Sequence, residues 1–388
     1  MPRILHLADL HLGWFPEYLG AKAAARAEER DAVLQRAVEL ALKPDSDIRM
    51  VVIAGDLFET HRPDGHLVSR TISLLRRLES AGIRTVTVPG NHDEITYRDS
   101  VYRLTGGSWP GILVRNPSPQ HVATVEVGGA ALHIYSLAYT GGITKTSPPI
   151  SEFPRTSDPG YHIAVFHGSL GWAAGDRSLP LDPESLSRSG YHYVALGHIH
   201  QHSVRPLERG KAVYAGMVEA KGFSDPGVGF FTVVTLPETP APGAPAQPAS
   251  SWDMGVRVET VDADSRPVRV AELDVSSCGS MSEAVGAVLS LGDSEAIQRV
   301  VLRGMVSFDL DAGAIARSAG EAFWYLEVVD NTEGLSNALI ESISMENTVR
   351  GCFVRRMRSA MESDPGRAGV YMAALRRGLA AMKGGGTP

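Results

Sequence analysis

Five short polar clusters, each directly after an apolar run, constrain the fold of this 388-residue chain more than any other feature. The runs at 4–8, 50–54, 85–88, 162–166 and 193–196 are expected to be buried strands. The clusters that follow them are Asp9 with His11, Gly55 with Asp56, Gly90 to Asp93, His167 with Gly168, and Gly197 with His198 and His200. In α/β sheets the carboxyl ends of the strands converge on one crevice, so clusters that are distant along the chain can share one site.

Helix-like stretches separate these strands, and the alternation predicts an α/β domain. The clearest are residues 23–42, rich in Ala, Glu and Arg, and residues 65–81, in which leucines recur at helical spacing. We interpret the leucine stripe as core packing. A further strand is expected at 131–137.

The clusters offer oxygen and nitrogen ligands and no thiol. Leaving Asp93 aside, two carboxylates, one amide and five imidazoles suit divalent manganese, iron or zinc. The two cysteines of the chain are too few for a thiolate zinc site and are typical of a reduced, cytoplasmic compartment. Asp56 follows Gly55, which allows a tight turn, so this carboxylate can reach between two ions. These donors are too many for one ion and suit two ions that share a bridge.

Taken singly, each cluster has a simpler interpretation. A histidine beside a glycine after a strand is most often a turn residue or a hydrogen-bonded core residue, and the run from Asn91 to Asp93 could be a plain turn. The other strand histidines are assigned to packing: His6, His133, His162 and His192. Only the complete set, with every cluster at a strand end, predicts a shared site.

In this order the motifs D-x-H, G-D, G-N-H-D, H-G and G-H-x-H resemble the signature of the calcineurin-like metallophosphoesterases, over roughly residues 1–235. The residues that flank these motifs are similar to those of the SbcD-type DNA repair exonucleases, including the YhaO-like branch. They lie at 7–13, at 55–58 with Arg62 and Pro63, and at 89–93. The resemblance implies an α/β fold: a two-sheet metallophosphoesterase sandwich flanked by helices, with a small α/β cap domain and a helical C-terminal region.

The resemblance also implies a ligand set for two metal ions. The first ion would take Asp9, His11, Asp56 and His200. The second would take Asp56, Asn91, His167 and His198. Asp56 is then the bridge, and because family members use manganese, two Mn²⁺ ions are expected. Such a pair can lower the pKa of a water molecule and neutralise charge on a phosphate.

Two neighbours of Asn91 are assigned catalytic roles on the same resemblance. His92 is expected to protonate the departing 3′ oxygen, since imidazoles titrate near neutral pH. Asp93 would orient His92 or bind backbone, and the sequence leaves both open. Candidate phosphate contacts, which could equally be solvated surface arginines, are Arg26, Arg30, Arg62 and Arg98.

A stretch rich in proline and alanine divides the chain. Residues 1–236 are predicted to form the nuclease domain, and 237–252 a semi-rigid linker or exposed loop. Residues 253–330 carry strand and helix patterns and are assigned as a small α/β capping domain. Residues 331–388 have helical stripes, eight basic and five acidic residues, and are assigned as a partner-docking region.

The charge balance limits how the chain could act on DNA. Its formal charge is −7, with no basic excess, so we expect weak DNA binding by the protein alone. The resemblance implies a partner, an SbcC-like coiled-coil ATPase of the SMC type, and a possible homodimer. We expect no membrane association, because no long apolar run and no signal peptide is found, and hence a cytoplasmic location.

Three functions remain open on the sequence. The first is a two-metal-dependent DNA exonuclease or endonuclease in DNA repair, the nuclease subunit of an SbcCD-like complex. The second is a metallophosphodiesterase or phosphatase for nucleotides or other small phosphoesters, against which the separate region 253–388 argues. The third is a regulatory or scaffold protein with a decayed site, which the complete set of ligand types disfavours.

Overall fold

The computed structural model divides the chain into two compact units, Met1–Ser265 and Arg266–Pro388, which are described separately. The residues described are 2–127, 129–141, 149–171, 178–237, 255–306, 308, 310–334 and 337–383. Across these ranges we find no helix with the length and apolar character needed to span a membrane.

Strands and helices alternate along the first unit. Its strands are β1 (Arg3–Leu7), β2 (Ile48–Ala54), β3 (Arg84–Val88), β4 (Ile112–Leu113), β5 (Gln120–Val127), β6 (Ala130–Ser136), β7 (Tyr161–His167), β8 (Ser169–Leu170), β9 (Pro180–Leu181), β10 (Tyr193–Gly197), β11 (Ser203–Pro206), β12 (Lys211–Tyr214), β13 (Phe230–Thr235) and β14 (Arg257–Asp262). Its helices are α1 (Ala23–Asp31), α2 (Val33–Leu42), α3 (Gly65–Ser80), α4 (Val101–Leu104) and α5 (Pro183–Arg188). The helix predicted at 23–42 is therefore two helices, interrupted at Ala32.

Two six-stranded sheets form the centre of this unit, as predicted. Their strand orders are β14-β13-β1-β2-β3-β4 and β11-β12-β10-β7-β6-β5. Strands β1, β2 and β3 run parallel in the first sheet, as do β6, β7, β10 and β12 in the second. One core cluster joins Val52 and Val86 of the first sheet to Ile163 and Ala195 of the second, so the sheets pack face to face. The leucine stripe of α3 lies in the same cluster.

The boundary predicted at residue 253 needs correction. Strand β14 pairs antiparallel with β13 and so extends the first sheet instead of beginning a cap domain. Its side chains alternate between exposed and half-buried, because β14 is an edge strand, and such a pattern does not indicate which sheet the strand joins. Nearly all of the predicted linker 237–252 lies outside the described residues.

The second unit contains mixed strands and helices followed by further helices, as the sequence patterns after the linker predict. Its strands are β15 (Val268–Asp274), β16 (Asp293–Arg303), β17 (Met305–Val306), β18 (Phe323–Asp330) and β19 (Glu333–Gly334). Its helices are α6 (Met281–Leu289), α7 (Ala312–Ala319), α8 (Asn337–Ser344), α9 (Val349–Ser363) and α10 (Ala368–Lys383). A three-stranded parallel sheet, β15-β16-β18, shares a core with α6 and α7, and α8 to α10 build a second core. The regions predicted as 253–330 and 331–388 thus meet in one compact unit.

The buried histidines His162 and His192 are kept neutral mainly by burial, and their hydrogen bonds fit neutral rings. The backbone N–H of His162 donates to Nδ1 of His192 at 2.9 Å, so that nitrogen carries no proton. Nε2 of His162 lies 3.0 Å from the Asp158 carbonyl and Nδ1 lies 2.8 Å from the Tyr135 hydroxyl, which suits one donor and one acceptor. Burial lowers the pKa of His162 to about 4, with Arg155 adding to the effect. Burial lowers the pKa of His192 to about 3, and His162 and Arg155 lower it further.

We therefore expect the metal-free protein to lose stability as the pH falls below about 6.5. Near that pH both histidines take up protons in the unfolded chain, whereas folded His162 and His192 stay neutral to about pH 4 and about pH 3. The unfolded state then binds more protons, and each histidine lowers the free energy of unfolding by about 1.4 kcal/mol per pH unit. Urea unfolding with EDTA measures the slope. His192→Asn, whose amide oxygen can accept the same N–H, should reduce it by about one proton; an unchanged slope would contradict this explanation.

Candidate metal centre

The five polar clusters lie where the sequence places them, at the carboxyl ends of parallel strands. Asp9 follows β1, Asp56 follows β2 and Asn91 follows β3 in the first sheet. His167 ends β7 and His198 follows β10 in the second. Because the two sheets pack face to face, these strand ends meet across one crevice.

The side chains of the clusters converge around Asp56. Its Oδ2 lies 3.4 Å from Nε2 of His167 and 3.9 Å from Nε2 of His11. Nε2 of His11 in turn lies 3.3 Å from Nε2 of His200. Ligand atoms within 4.8 Å of one another form three groups: Asp9, His11 and His200; Asp9, Asp56 and His167; and His11, Asp56 and His92.

Asn91 joins the remaining histidine to this arrangement. Its Oδ1 lies 2.9 Å from Nε2 of His167 and 3.0 Å from Nδ1 of His198. The N–H of His198 donates to both carboxylate oxygens of Asp9 at 3.0 Å. All seven residues predicted as ligands are therefore brought together, with Asp56 between those near His11 and those near His167.

The backbone of the site is unusual for residues that carry side chains. Asp9, His11, Asp56 and His198 have positive φ, at 54°, 49°, 50° and 94°. Such left-handed conformations are uncommon outside glycine and cluster at functional sites. The sequence clusters alone do not reveal this feature, which aims side chains from a sharp turn into the crevice.

Two glycines allow the loops to approach closely. Gly55 has a φ of 89°, and a Cβ there would lie 2.1 Å from Nδ1 of His167. A Cβ on Gly90 would lie 2.2 Å from Oδ1 of Asp56. Any larger residue at either position would therefore displace a side chain of the centre.

The electrostatics of the centre fit a divalent cation. Burial raises the pKa of Asp9 to about 8; the attraction of His200 opposes this rise and the repulsion from Asp56 adds to it. Burial would also raise the pKa of Asp56, but the imidazoles of His167 and His11 lower it below its usual range. Burial lowers the pKa of His11 to about 4, which keeps the ring neutral for binding. The neutral imidazole of His11 beside buried, mutually repelling carboxylates is a suitable donor set for first-row divalent ions.

Two further carboxylates, which the sequence did not indicate, orient the histidine ligands. Oε2 of Glu59 lies 2.9 Å from Nδ1 of His11, and Oδ2 of Asp225 lies 3.0 Å from Nδ1 of His200. Both contacts turn the Nε2 atoms of the rings towards each other. Lys221 lies 2.8 Å from Glu59. Glu59 stands three residues after Asp56, a possible signal, whereas nothing in the sequence around Asp225 marks it.

Replacing Glu59 with glutamine is expected to weaken metal binding roughly 10- to 100-fold, because partners of ligating histidines fix the ring and its basicity. The change keeps the size of the side chain and removes the charge that faces Nδ1 of His11. Isothermal titration of the metal-free protein with Mn²⁺ measures the affinity. Glu28→Gln, on the exposed face of α1, is the matched control. Equal affinities for the two variants would rule out this role.

His92 and Asp93 occupy different surroundings. The N–H of His92 donates to Oδ1 of Asp56, and its Nδ1 lies 3.0 Å from the Glu59 carbonyl, an arrangement that leaves Nε2 as the ring atom for proton exchange. Asp93 is fully buried and accepts hydrogen bonds from the N–H groups of Gly90 and Phe58 and from a tyrosine hydroxyl. Burial, followed by repulsion from Asp56, raises the pKa of Asp93 to about 7. These contacts correspond to the backbone-binding alternative for Asp93, away from the ring of His92.

Two of the four candidate phosphate contacts are corrected by the structure. Arg26 and Arg30 are fully buried. Arg26 pairs with the carboxylate of Glu219, and Arg30 donates to the carbonyls of Leu10 and Glu219 at 3.0 and 2.6 Å. They hold α1 against the loop that carries Asp9 and His11, because α1 packs inward there. Arg62 and Arg98 are exposed.

Two facing sheets with Asp, Asn and His donors at their parallel strand ends define a metal-dependent phosphoester hydrolase. Residues 2–202 match the sequence profile of the calcineurin-like phosphoesterases, and the chain belongs to this family. The family has a dinuclear metal centre, in agreement with the donor groups described above.

The curated relatives include a YhaO protein, the branch to which the motifs point, and several Mre11 proteins. The uncharacterized metallophosphoesterase YhaO of Bacillus subtilis is 26% identical over 235 residues, 58% of this chain and 54% of that protein. The DNA double-strand break repair protein Mre11 of Aeropyrum pernix is 29% identical over 301 residues, 74% of this chain and 66% of that protein. The chain thus spans about half to two thirds of these relatives.

Proposed function

We propose that this protein is a two-metal-dependent DNA nuclease of DNA repair that cleaves the 3′ O–P bond, as an exonuclease or endonuclease. The carrying observation is the position of His92, a half-exposed imidazole directly beside the donors gathered around Asp56. The relatives named for DNA double-strand break repair support DNA as the substrate.

The residues of the centre would divide the work as follows. Two divalent ions, which we propose to be Mn²⁺, would supply an activated water and neutralise the phosphate charge. One would be held by Asp9, His11, Asp56 and His200, and the other by Asp56, Asn91, His167 and His198. His92 donates the proton of Nε2 to the departing oxygen, while its Nδ1 remains held by the Glu59 carbonyl. Asp93 keeps the loop that carries His92 in place through buried hydrogen bonds.

The second unit is proposed to contain the cap domain and the region that binds a partner protein. We propose residues 266–330 as the cap and α8 to α10 as the docking region for an SbcC-like coiled-coil ATPase, within an SbcCD-like complex and a possible homodimer in the cytoplasm. Exposed apolar side chains on these helices, Val349 and Val370, support a docking role.

A second candidate is a phosphodiesterase or phosphatase for nucleotides and other small phosphoesters. The overall negative charge of the chain favours this candidate, because a protein that binds DNA tightly by itself usually has an excess of basic residues.

One assay separates the two candidates. The full chain, with its metal content measured, is incubated with Mn²⁺ or with EDTA on linear duplex DNA, on single-stranded DNA and on bis(p-nitrophenyl) phosphate. The nuclease proposal expects Mn²⁺-dependent DNA digestion. Hydrolysis of the small diester without any DNA cleavage, in the presence of Mn²⁺ and the candidate ATPase, would reject it in favour of the second candidate.

A further inference from the structure

A groove lined by arginines lies on the first unit beside the loop that carries Asn91 and His92. Its volume is about 990 Å³. Three of its eight lining residues are Arg98, Arg103 and Arg115, and none of the eight is acidic. The groove is therefore a local basic site on a unit with no overall basic surplus.

The three guanidinium groups have no carboxylate partner among the described residues. Arg103 donates through Nε to the Ile95 carbonyl at 2.6 Å, and Arg115 donates to the Gly106 carbonyl at 2.6 Å. Both retain further N–H groups, since a guanidinium has five. Exposed arginines elsewhere in this unit, such as Arg49 and Arg188, lie within 3.0 Å of an acidic side chain. Unpaired guanidinium groups facing one groove are suited to an anionic ligand.

The wall of the groove is attached to the candidate metal centre. Tyr102 lines the groove, and its hydroxyl donates to Oδ2 of Asp93 at 2.7 Å. Ile95, which also lines it, is held by Arg103. The loop between Asn91 and Ile95 thus presents donors to the centre at one end and the groove at the other, so a chain of phosphates could occupy both.

We propose that Arg98, Arg103 and Arg115 bind the phosphate backbone of a nucleic-acid strand whose scissile phosphate lies at the metal centre. The inference rests on the proposed nuclease function and extends it, because three guanidinium groups lining a groove of about 990 Å³ suit a substrate with several phosphates. Arginines bind phosphates through paired N–H groups and do so without reading bases, so the groove positions any sequence.

Binding measured without catalysis tests the groove directly. The full chain in EDTA is titrated onto a fluorescent single-stranded oligonucleotide over a range of salt concentrations. Arg98→Gln/Arg115→Gln is expected to raise Kd roughly tenfold and to reduce the slope of log K against log salt by about 1.4, or about 0.7 for each phosphate that an arginine no longer neutralises. Arg103 is kept, since it holds the loop at Ile95.

The matched control removes two charges from the opposite end of the sheet. Arg49 and Arg84 are exposed and lie at the amino ends of β2 and β3, away from the centre. Arg49→Gln/Arg84→Gln should bind the oligonucleotide as the unmodified protein does. Equal Kd values and salt slopes for the two double variants would contradict the proposed DNA-binding role of the groove. Absence of saturable binding by the unmodified protein at low salt would contradict it as well.

Cleavage separates this inference from the function on which it rests. If DNA binding depends on the groove but no Mn²⁺-dependent cleavage is found, the nuclease function is contradicted and the DNA-binding role of the groove is supported. If the unmodified protein cleaves DNA and the KM for DNA is the same in Arg98→Gln/Arg115→Gln, the DNA-binding role of the groove is contradicted and the nuclease function is supported. The expected result is a roughly tenfold rise in KM for DNA that exceeds any effect on bis(p-nitrophenyl) phosphate; equal losses on both substrates would also overturn it.

Discussion

Replacing Asp56 with asparagine is expected to abolish uptake of both metal ions and to lower phosphoester hydrolysis by roughly 10³-fold or more. Asp56 lies 3.9 Å from His11 on one side and 3.4 Å from His167 on the other, which is the position expected of a donor that two ions would share. Asparagine keeps the shape and an oxygen acceptor for the N–H of His92, but it cannot bring a charge to two ions.

The same substitution should change the stability of the metal-free fold little, because two opposing effects are removed together. The repulsion between the buried carboxylates of Asp9 and Asp56, which contributes to the raised pKa of Asp9, is lost. The attraction of His167 and His11, which lowers the pKa of Asp56, is lost as well. Thermal unfolding in EDTA and in Mn²⁺ therefore gives two readings. We expect a similar Tm without metal, and loss of the rise in Tm that metal causes in the unmodified protein.

Asp9→Asn is the comparison that makes the test specific to the bridge. Oδ1 of Asp9 lies 4.0 Å from Nδ1 of His167, and that nitrogen lies 2.9 Å from the Ala54 carbonyl. Asp9→Asn should therefore lose one ion and keep the one near Asn91. Metal analysis decides the matter: two ions retained by Asp56→Asn, or the same stoichiometry in both variants, would disprove the bridging role.

Replacing His92 with glutamine is expected to lower DNA hydrolysis roughly 10²- to 10⁴-fold while both metal ions remain bound. The amide of glutamine can still donate to the Glu59 carbonyl, which Nδ1 of His92 contacts at 3.0 Å, but it carries no transferable proton. The loss should be much smaller on bis(p-nitrophenyl) phosphate, because p-nitrophenolate leaves readily without protonation. This difference between substrates is the signature of a general acid.

The controls address the other explanation for His92, that it is itself a ligand. His92 lies within 4.8 Å of donor atoms of His11 and Asp56, so a third histidine near the ions is geometrically possible. Loss of one ion in His92→Gln, or equal loss on both substrates, would assign it to metal binding. His121→Gln, an exposed histidine of β5, should leave metal content and both activities unchanged.

Much of the fold could be predicted because its strands are buried on both faces. Strands β7 and β10 are buried along their whole length, so they appear as continuous apolar runs that need no knowledge of neighbours. Strand β14 could not be placed, since its half-exposed pattern suits either sheet. The interruption at Ala32 was also missed, because a helical pattern continues through it.

The charged residues around the site show where prediction from residue type ends. Arg26 and Arg30 look the same in the sequence as Arg98, yet the first two are buried within α1 and the third is exposed in the groove. Whether an arginine binds a carbonyl, a carboxylate or a phosphate depends on what packs opposite it. That information is absent from the spacing of charges along a helix or loop.

The sequence by itself determined the chemistry of this protein: oxygen and imidazole ligands placed after buried strands, in an order that defines the family. Residue type specifies the donor atom, and apolar runs specify the strands that bring donors to one edge. Only the tertiary structure decided which carboxylates orient the histidines, how Asp93 is held and where guanidinium groups face a groove. Those contacts join loops such as the one at Glu59 and the one at Asp225, and the packing of the two sheets alone determines which loops meet.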